Sequence, residues 1–183
     1  LGQDAVPIVN EVGDELTYLT PFAYIVQEDG SLTPIDDEAA IGEAIAHGIV
    51  PMMSIVNFTT NIPGEDIAHK VLNNPDAVAN LQNNIIKTMK DKGYRGLNID
   101  FEYVLPEDRE AYNNFLESTV NKLHEEGFFV STSLAPKSSP DQRGLLYEAH
   151  DYLFHGKVAD FVVLMTYEWG WRGGQQRAIS PVN

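Results

Sequence analysis

The chain has 183 residues, 43% of them hydrophobic, which is enough to bury the core of one globular domain. Its 27 acidic and 12 basic residues give a formal charge of -15 and exclude the basic surface that nucleic-acid binding needs. The absence of cysteine excludes disulfides, thiol nucleophiles and cysteine-based zinc sites. No apolar run approaches the roughly 20 residues of a membrane helix, so we do not expect the chain to bind a membrane. We also expect a monomer without a nucleic-acid partner.

Short apolar runs rich in Val, Ile, Phe and Tyr alternate with longer stretches of helical period, which predicts βα units around a parallel sheet. In the clearest helix, Asn74 is the N-cap, Pro75 the first residue and Gly93 the stop. The triplet Asn57-Phe-Thr59 fits a glycosylation acceptor, a pattern that often arises by chance. The predicted strands are 16–24, 49–58, 96–103, 128–135 and 160–167, and the predicted helices are 36–47, 75–92, 106–126 and 140–155.

Strict alternation of strands and helices fits either an open doubly wound sheet or a (β/α)8 barrel. Neither Gly-x-Gly-x-x-Gly nor Gly-x-x-x-x-Gly-Lys occurs, which favours the barrel. A complete barrel takes about 250 residues. We therefore predict an α/β chain in which one domain, 1–183, carries about five of the eight strands of a TIM barrel. No convincing strand precedes residue 16, and the end at 180–183 has the character of a cut.

Three polar residues alternate with apolar ones along the predicted strand 96–103. Strand period two puts Asn98, Asp100 and Glu102 on the same face. A buried unpaired carboxylate costs several kcal/mol, so two of them on one interior strand indicate a functional site. Enzymes of the barrel fold place catalytic groups at the carboxyl ends of strands. The alternative is an edge strand with one solvated face.

Asp100 and Glu102 lie roughly 6.6 Å apart along a strand, close enough for each charge to raise the pKa of the other. Glu102, at the strand end, is the better candidate to stay protonated. A carboxylic acid beside an ionised partner is suited to protonating a glycosidic oxygen. Such pairs also bind metals, but no His-x-His or His-Glu-x-x-His motif occurs, and we expect neither a metal nor a cofactor. We interpret the five histidines as helix-surface or helix-end residues: His47, His69, His124, His150 and His155.

The segment Gly96-Leu-Asn-Ile-Asp-Phe-Glu102 resembles the fourth-strand signature of glycoside hydrolase family 18, Asp-x-x-Asp-x-Asp-x-Glu. Met165-Thr-Tyr-Glu168 resembles the Met-x-Tyr motif of the sixth strand of that family. Longer stretches, 93–103, 131–137 and 165–171, are similar to the branch that contains spore cortex-lytic N-acetylglucosaminidases. The resemblance implies a bacterial glycosidase, secreted or associated with the spore or cell wall, that cleaves β-linked N-acetylglucosamine in peptidoglycan or chitin-like glycan.

The family resemblance also implies a retaining, substrate-assisted mechanism, in which the N-acetyl oxygen of the sugar replaces an enzyme nucleophile. Glu102 is then the general acid and base, Asp100 orients the acetamide, and Tyr167 donates its hydroxyl to the acetamide oxygen. Tyr24, Trp169 and Trp171 either offer flat faces to sugar rings or only pack. The remaining implied substrate-binding residues are Asn98, Met165 and Glu168.

Two residues depart from the family signature. Arg95 and Asn98 stand where its first two aspartates are usual. Without a charge at Asn98, Asp100 is expected to ionise more readily and to receive an amide hydrogen bond from Asn98. Two alternatives remain open: Glu168 acts as a direct nucleophile, or the protein is a non-catalytic glycan-binding protein of the same fold.

Overall fold

A computed structural model describes residues 2–59, 64–167, 170 and 173–180. No helix within these ranges combines the length and apolarity that a membrane crossing requires. The strands are β1 (Tyr18–Leu19), β2 (Tyr24–Val26), β3 (Leu32–Thr33), β4 (Val50–Val56), β5 (Gly96–Asp100), β6 (Phe129–Leu134) and β7 (Phe161–Leu164). The α-helices are α1 (Ala5–Val12), α2 (Glu38–Ala46), α3 (Gly64–Leu72), α4 (Pro75–Lys92), α5 (Arg109–Glu125) and α6 (Tyr152–Val158).

The strands form one sheet in the order β3-β2-β4-β5-β6-β7, with β1 paired to the start of β4. All pairs are parallel except the antiparallel pair of β2 and β3. The register joins Val56 of β4 to Asp100 of β5 and Ile99 of β5 to Thr132 of β6. The carboxyl ends of the central strands therefore meet at one edge of the sheet.

The main apolar core lies between the sheet and helices α3, α4 and α5. Alternate strand residues such as Ile55 and Ile99 are fully buried and belong to the same cluster as Leu81 and Ile85 of α4. Their burial contributes on the order of 1.5–3 kcal/mol each. This packing covers one face of the sheet with helices and leaves the other face to form the site.

Helix α4 confirms its sequence prediction at both ends. The side-chain oxygen Oδ1 of Asn74 accepts hydrogen bonds from the backbone N–H of Asp76 at 3.1 Å and of Ala77 at 3.3 Å. Pro75 occupies the first turn, where a missing N–H costs nothing. Gly93 ends the helix in the left-handed conformation, at φ 82°, and its N–H bonds to the Met89 carbonyl. Local signals in the sequence therefore mark both ends of this helix.

Several of the predicted elements are wrong in extent. The predicted strands 96–103 and 160–167 already end at Asp100 and Leu164. The predicted strand 16–24 is two separate strands, β1 and β2, which pair with opposite ends of β4. The predicted helix 140–155 forms only over Tyr152–Val158, where Asp151 accepts a cap hydrogen bond from Phe154 at 3.1 Å. Gly144 adopts φ 127°, which is incompatible with a helix through this segment. Sequence analysis also missed three elements: α1, β3 and α3.

A buried carboxylate joins the start of α2 to β2 and α4 on the helix-covered face. The Asp37 side chain is fully buried and accepts hydrogen bonds from the Tyr24 hydroxyl, the Tyr94 hydroxyl and the Lys92 ammonium group. Burial acts to raise the pKa of Asp37, but the bonds from Lys92 and the tyrosines outweigh burial and hold this pKa below its usual value. The three donors make an otherwise costly buried charge compatible with the fold.

We predict that Asp37→Ala lowers the free energy of unfolding by about 3–5 kcal/mol, because it removes the buried carboxylate that accepts from two buried hydroxyls and from the partly buried Lys92 ammonium. Urea unfolding at pH 7 measures this loss. Asp91→Ala is the matched control, since Asp91 pairs with Lys87 on the exposed surface of α4, where such pairs contribute little. Equal stability of the two variants would contradict a structural role for Asp37.

Candidate active site

A cleft of about 520 Å³ lies at the edge where the parallel strands end. Asp100, the last residue of β5, and Glu102, two residues further on, both line it. Asp100 is 6% exposed and Glu102 is half-buried. Both carboxyl groups therefore lie in one cavity, as expected at the carboxyl end of a barrel strand. Glu102 lies beyond β5, so the loop after the strand, and not strand alternation, places it there.

Asp100 has an unusual electrostatic environment. Burial raises its pKa to about 6, and the Ser133 hydroxyl only partly opposes this rise. Its Oδ1 atom is buried and has no hydrogen-bond partner among the described residues. A carboxylate oxygen in this state can accept a hydrogen bond from a bound ligand. Sequence analysis expected Asp100 to ionise readily, whereas burial makes it titrate near neutral pH.

The Asn98 side chain bonds to β6 instead of to Asp100. Its Nδ2 donates to Ser133 Oγ at 3.1 Å, and its Oδ1 accepts from Ser131 Oγ at 2.9 Å. The parallel register pairs Asn98 with Ser131, so the hydroxyls of the neighbouring strand lie beside the amide. The expected hydrogen bond from Asn98 to Asp100 is therefore wrong. Asn98 instead joins two strands beneath the cleft.

Two further predicted site residues lie in the same cleft. Met165 and Tyr167 follow β7, and both line the cavity with Asp100 and Glu102. The backbone N–H of Met165 bonds to the Leu134 carbonyl at 3.0 Å, which extends the pairing of β6 and β7 by one residue. Tyr167 is 46% exposed. The structure thus brings together residues 65 positions apart in the sequence.

Tyr24 does not lie in this cleft, contrary to the expectation that its ring offers a face to a sugar. The side chain is 2% exposed and points from β2 into the helix-covered core, where its hydroxyl bonds to Asp37. Strand period two sends neighbouring residues to opposite faces, and Tyr24 lies on the covered face. Glu168, Trp169 and Trp171 lie outside the described residues.

Sequence analysis missed four aromatic residues that line the cleft. Phe22 is 52% exposed there, and Tyr103 adopts the left-handed conformation with φ 54°. Phe58 follows the end of β4, a position that could have been recognised from the barrel prediction. The wrong strand and helix boundaries concealed the others. The four residues are Phe22, Phe58, Tyr103 and Tyr147.

Two histidines, His150 and His155, are buried, which corrects their interpretation as helix-surface or helix-end residues. His150 accepts from the Ala135 N–H at 2.9 Å through Nδ1, and its Nε2 lies 3.0 Å from the Phe101 carbonyl. A neutral ring protonated at Nε2 satisfies both bonds. Burial lowers the pKa of His150, and it lowers that of His155 to about 3. The other three lie at helix ends or surfaces as predicted: His47, His69 and His124.

The arrangement provides two carboxyl groups, a phenol and aromatic walls in a single cavity. A carboxyl group can exchange a proton with a ligand, and a buried neighbour such as Asp100 can stabilise developing positive charge. Aromatic side chains offer apolar faces with polar edges, a surface suited to sugar rings. In the part of the chain that the structure describes, no cluster of three or more His, Asp or Glu side chains could hold a metal ion.

Comparison with known proteins places this chain in a family. The model of "Glycosyl hydrolases family 18" matches residues 23–183 and confirms the resemblance drawn from the sequence motifs. The chain is 41% identical over 174 residues to the cortical fragment-lytic enzyme of Bacillus subtilis (strain 168), covering 94% of this chain and 40% of that protein. The Bacillus cereus spore cortex-lytic enzyme SleL matches with a TM-score of 0.91 and 37% identity, over 99% of this chain and 42% of that one.

The comparison also identifies the architecture. A chitinase from Chromobacterium violaceum ATCC 12472 matches with a TM-score of 0.82 over 93% of this chain and 54% of that one, and at 24% identity it shows the fold alone. The α/β fold is therefore of the predicted TIM-barrel type, and the sheet corresponds to a portion of such a barrel. The chain spans only 40% and 42% of the length of the relatives from Bacillus subtilis and Bacillus cereus.

The buried groups around the cleft predict a specific dependence of stability on pH. The unfolded chain protonates His155 below about pH 6.5, whereas the folded protein does so only near pH 3. Stability therefore falls as the pH decreases below 6.5, by up to about 1.4 kcal/mol per unit for this group. We expect His155→Phe to flatten the curve of unfolding free energy between pH 6.5 and 4, measured by urea unfolding.

Asp100 acts in the opposite direction and supplies the control. Its folded pKa of about 6 exceeds the unfolded value of 3.8, so the folded protein gains a proton first and is stabilised as the pH falls through 6. Asp100→Asn removes this stabilising effect, which opposes that of His155. The free energy of unfolding should therefore decrease more steeply with falling pH in this variant than in the wild type. Identical pH slopes for wild type, His155→Phe and Asp100→Asn would show that neither group is buried as described.

Proposed function

Because this chain belongs to glycosyl hydrolase family 18, we propose that it hydrolyses β-linked N-acetylglucosamine in bacterial peptidoglycan, in particular that of the spore cortex. The observation that carries the proposal is the shared cavity of Glu102, Asp100 and Tyr167 at the carboxyl edge of the sheet. The names of the relatives, a cortical fragment-lytic and a spore cortex-lytic enzyme, support this substrate over chitin. They also support association with the spore or cell wall.

Glu102 is proposed as the general acid and base. In the first step its carboxyl proton passes to the glycosidic oxygen, and the bond from that oxygen to the anomeric carbon breaks. The acetamide oxygen of the same sugar forms the new bond to the anomeric carbon and gives a cyclic oxazolinium. In the second step the Glu102 carboxylate takes a proton from water. The water oxygen bonds to the anomeric carbon, and the bond from the acetamide oxygen to that carbon breaks, which opens the oxazolinium ring. Two inversions at the anomeric carbon give overall retention.

Asp100 is proposed to orient the acetamide. Its buried Oδ1 has no partner among the residues described and is suited to accept the acetamide N–H. As the oxazolinium forms, the positive charge on the ligand favours the ionised form of Asp100. The pKa of about 6 means that this carboxylate is ionised in most molecules at neutral pH and is lost as the pH falls through 6.

The remaining cavity residues are proposed to hold the sugar. The Tyr167 hydroxyl donates to the acetamide oxygen, and Met165 contributes to the floor of the site. Aromatic side chains such as Phe58 and Tyr147 pack against sugar rings. Asn98 supports this floor from below through its hydrogen bonds to β6.

Two alternative hypotheses compete with this proposal. A direct nucleophile at Glu168 is the alternative glycosidase mechanism, in which a covalent glycosyl-enzyme replaces the oxazolinium. A non-catalytic glycan-binding protein of this fold typically lacks the acid, and Glu102 is present in this chain and lines the cavity. The substrate-assisted hydrolase therefore remains the preferred function.

We predict that Glu102→Gln lowers the rate of fragment release from purified spore cortex peptidoglycan by about 10²–10⁴-fold, because the amide cannot transfer the proton. Mass spectrometry of borohydride-reduced products measures release and identifies the new reducing end, expected to be N-acetylglucosamine. Glu117→Gln, on the exposed side of α5, is the control and should retain the wild-type rate. Release by Glu102→Gln at the wild-type rate would refute the proposed acid.

A thiazoline analogue of N-acetylglucosamine should inhibit competitively, because it imitates the oxazolinium in shape and charge. Steady-state inhibition kinetics on soluble peptidoglycan fragments tests this expectation. The control is an activated 2-fluoro glycoside followed by intact-protein mass analysis, which should show no adduct. A stable adduct located on Glu168 would instead establish the direct-nucleophile mechanism.

A further inference from the structure

The side chain of Asn57 binds both backbone polar groups of Glu102. Asn57 follows the last residue of β4 and is fully buried. Its Oδ1 accepts from the Glu102 N–H at 2.9 Å, and its Nδ2 donates to the Glu102 carbonyl at 2.7 Å. Two bonds from one planar amide to one residue restrain both the position and the rotation of that residue.

The same amide also holds the start of α3. Its Nδ2 donates a second hydrogen bond, at 2.8 Å, to the carbonyl of Gly64. A Cβ atom on Gly64 would lie 2.8 Å from Asn57 Nδ2 and 3.0 Å from the Glu102 carbonyl oxygen, so no side chain fits there. Asn57 thus joins the ends of β4 and β5 to the first turn of a helix.

These bonds act where regular pairing has stopped. The ladder between β4 and β5 ends at Val56 and Asp100. Tyr103, directly after Glu102, adopts φ 54°, a conformation that costs a non-glycine residue on the order of 1–3 kcal/mol. The Glu102 carbonyl belongs to the peptide that leads into Tyr103. The Asn57 bond to this carbonyl therefore helps to hold the turn that aims the Glu102 side chain.

We propose that Asn57 is a positioning residue, which fixes the backbone of Glu102 so that its carboxyl group stays within reach of the glycosidic oxygen. This inference rests on the proposed function, since it assigns Asn57 a role through the proposed acid. A displacement of about 1 Å at a reacting group can cost about 10²-fold in rate. The glycosylation interpretation of Asn57-Phe-Thr59 does not hold, because Nδ2 is buried and donates two hydrogen bonds.

Two substitutions test the role at different severity. Asn57→Asp keeps the size of the side chain and an acceptor for the Glu102 N–H but removes both donated bonds. Asn57→Ala removes all three. Gln82→Ala is the matched control, because Gln82 is a buried amide that donates to Ser118 at 2.9 Å and Thr119 at 3.1 Å, away from the cleft.

Kinetics on soluble peptidoglycan fragments is measured with protein shown by circular dichroism to be folded. Both Asn57 variants should lower kcat by at least about tenfold, with KM within about twofold of wild type. Gln82→Ala should lose stability while keeping kcat. A folded Asn57→Asp or Asn57→Ala with wild-type kcat would overturn the proposal, and so would an equal loss of kcat in Gln82→Ala.

Glu102→Gln in the same series separates this inference from the proposed function. If Glu102→Gln matches the wild type, the proposed acid fails, and Asn57 is then judged by amide hydrogen exchange. The Glu102 amide should exchange at least about tenfold faster in Asn57→Ala and at the wild-type rate in Gln82→Ala. Unchanged exchange in Asn57→Ala would refute the contact itself.

Discussion

The parallel pairing of β4, β5 and β6 is the constraint on which the rest of the structure depends. Its register sets Val56 beside Asp100 and Asn98 beside Ser131. Because side chains alternate between faces, the same register decides which polar groups meet at the open edge and which meet the helices. A slip by one residue would bury the polar face of β5 against α4 and α5, at a cost that this core could not offset.

Two buried carboxylates, Asp37 and Asp100, lie on opposite faces of the sheet and have pKa values shifted in opposite directions. On the helix-covered face, three donors surround Asp37 and hold its pKa below the usual value. On the cleft face, Asp100 has one weak opposing partner in Ser133, and burial raises its pKa to about 6. The first carboxylate is satisfied within the protein. The second keeps unused hydrogen-bonding capacity, which is typical of a group that acts on a ligand.

The sequence predicts those features that depend on local signals. Helix α4 has its own cap and stop, and the polar alternation of β5 is visible without the fold. The face of the sheet on which Tyr24 lies depends instead on its pairing with Ile55 of β4. The predicted strand 16–24 has the wrong boundaries and does not reveal this pairing. The loop that replaces the predicted helix 140–155 depends on the backbone of Gly144. The role inferred for Asn57 depends on a contact 45 residues away in sequence, which no local pattern records.

His150 and Asn57 perform parallel tasks at the open edge of the sheet. Asn57 joins residues just beyond β4 and β5, and His150 joins Ala135, just beyond β6, to Phe101, just beyond β5. Each side chain offers a donor and an acceptor, as a peptide group does, and connects neighbouring strand ends where the backbone hydrogen bonds between the strands have ended. Insertions or deletions in the loops between these residues can therefore leave the hydrogen bonds of Asn57 and His150 in place. These side-chain links hold the carboxyl edge of the sheet together beyond the reach of its backbone pairing.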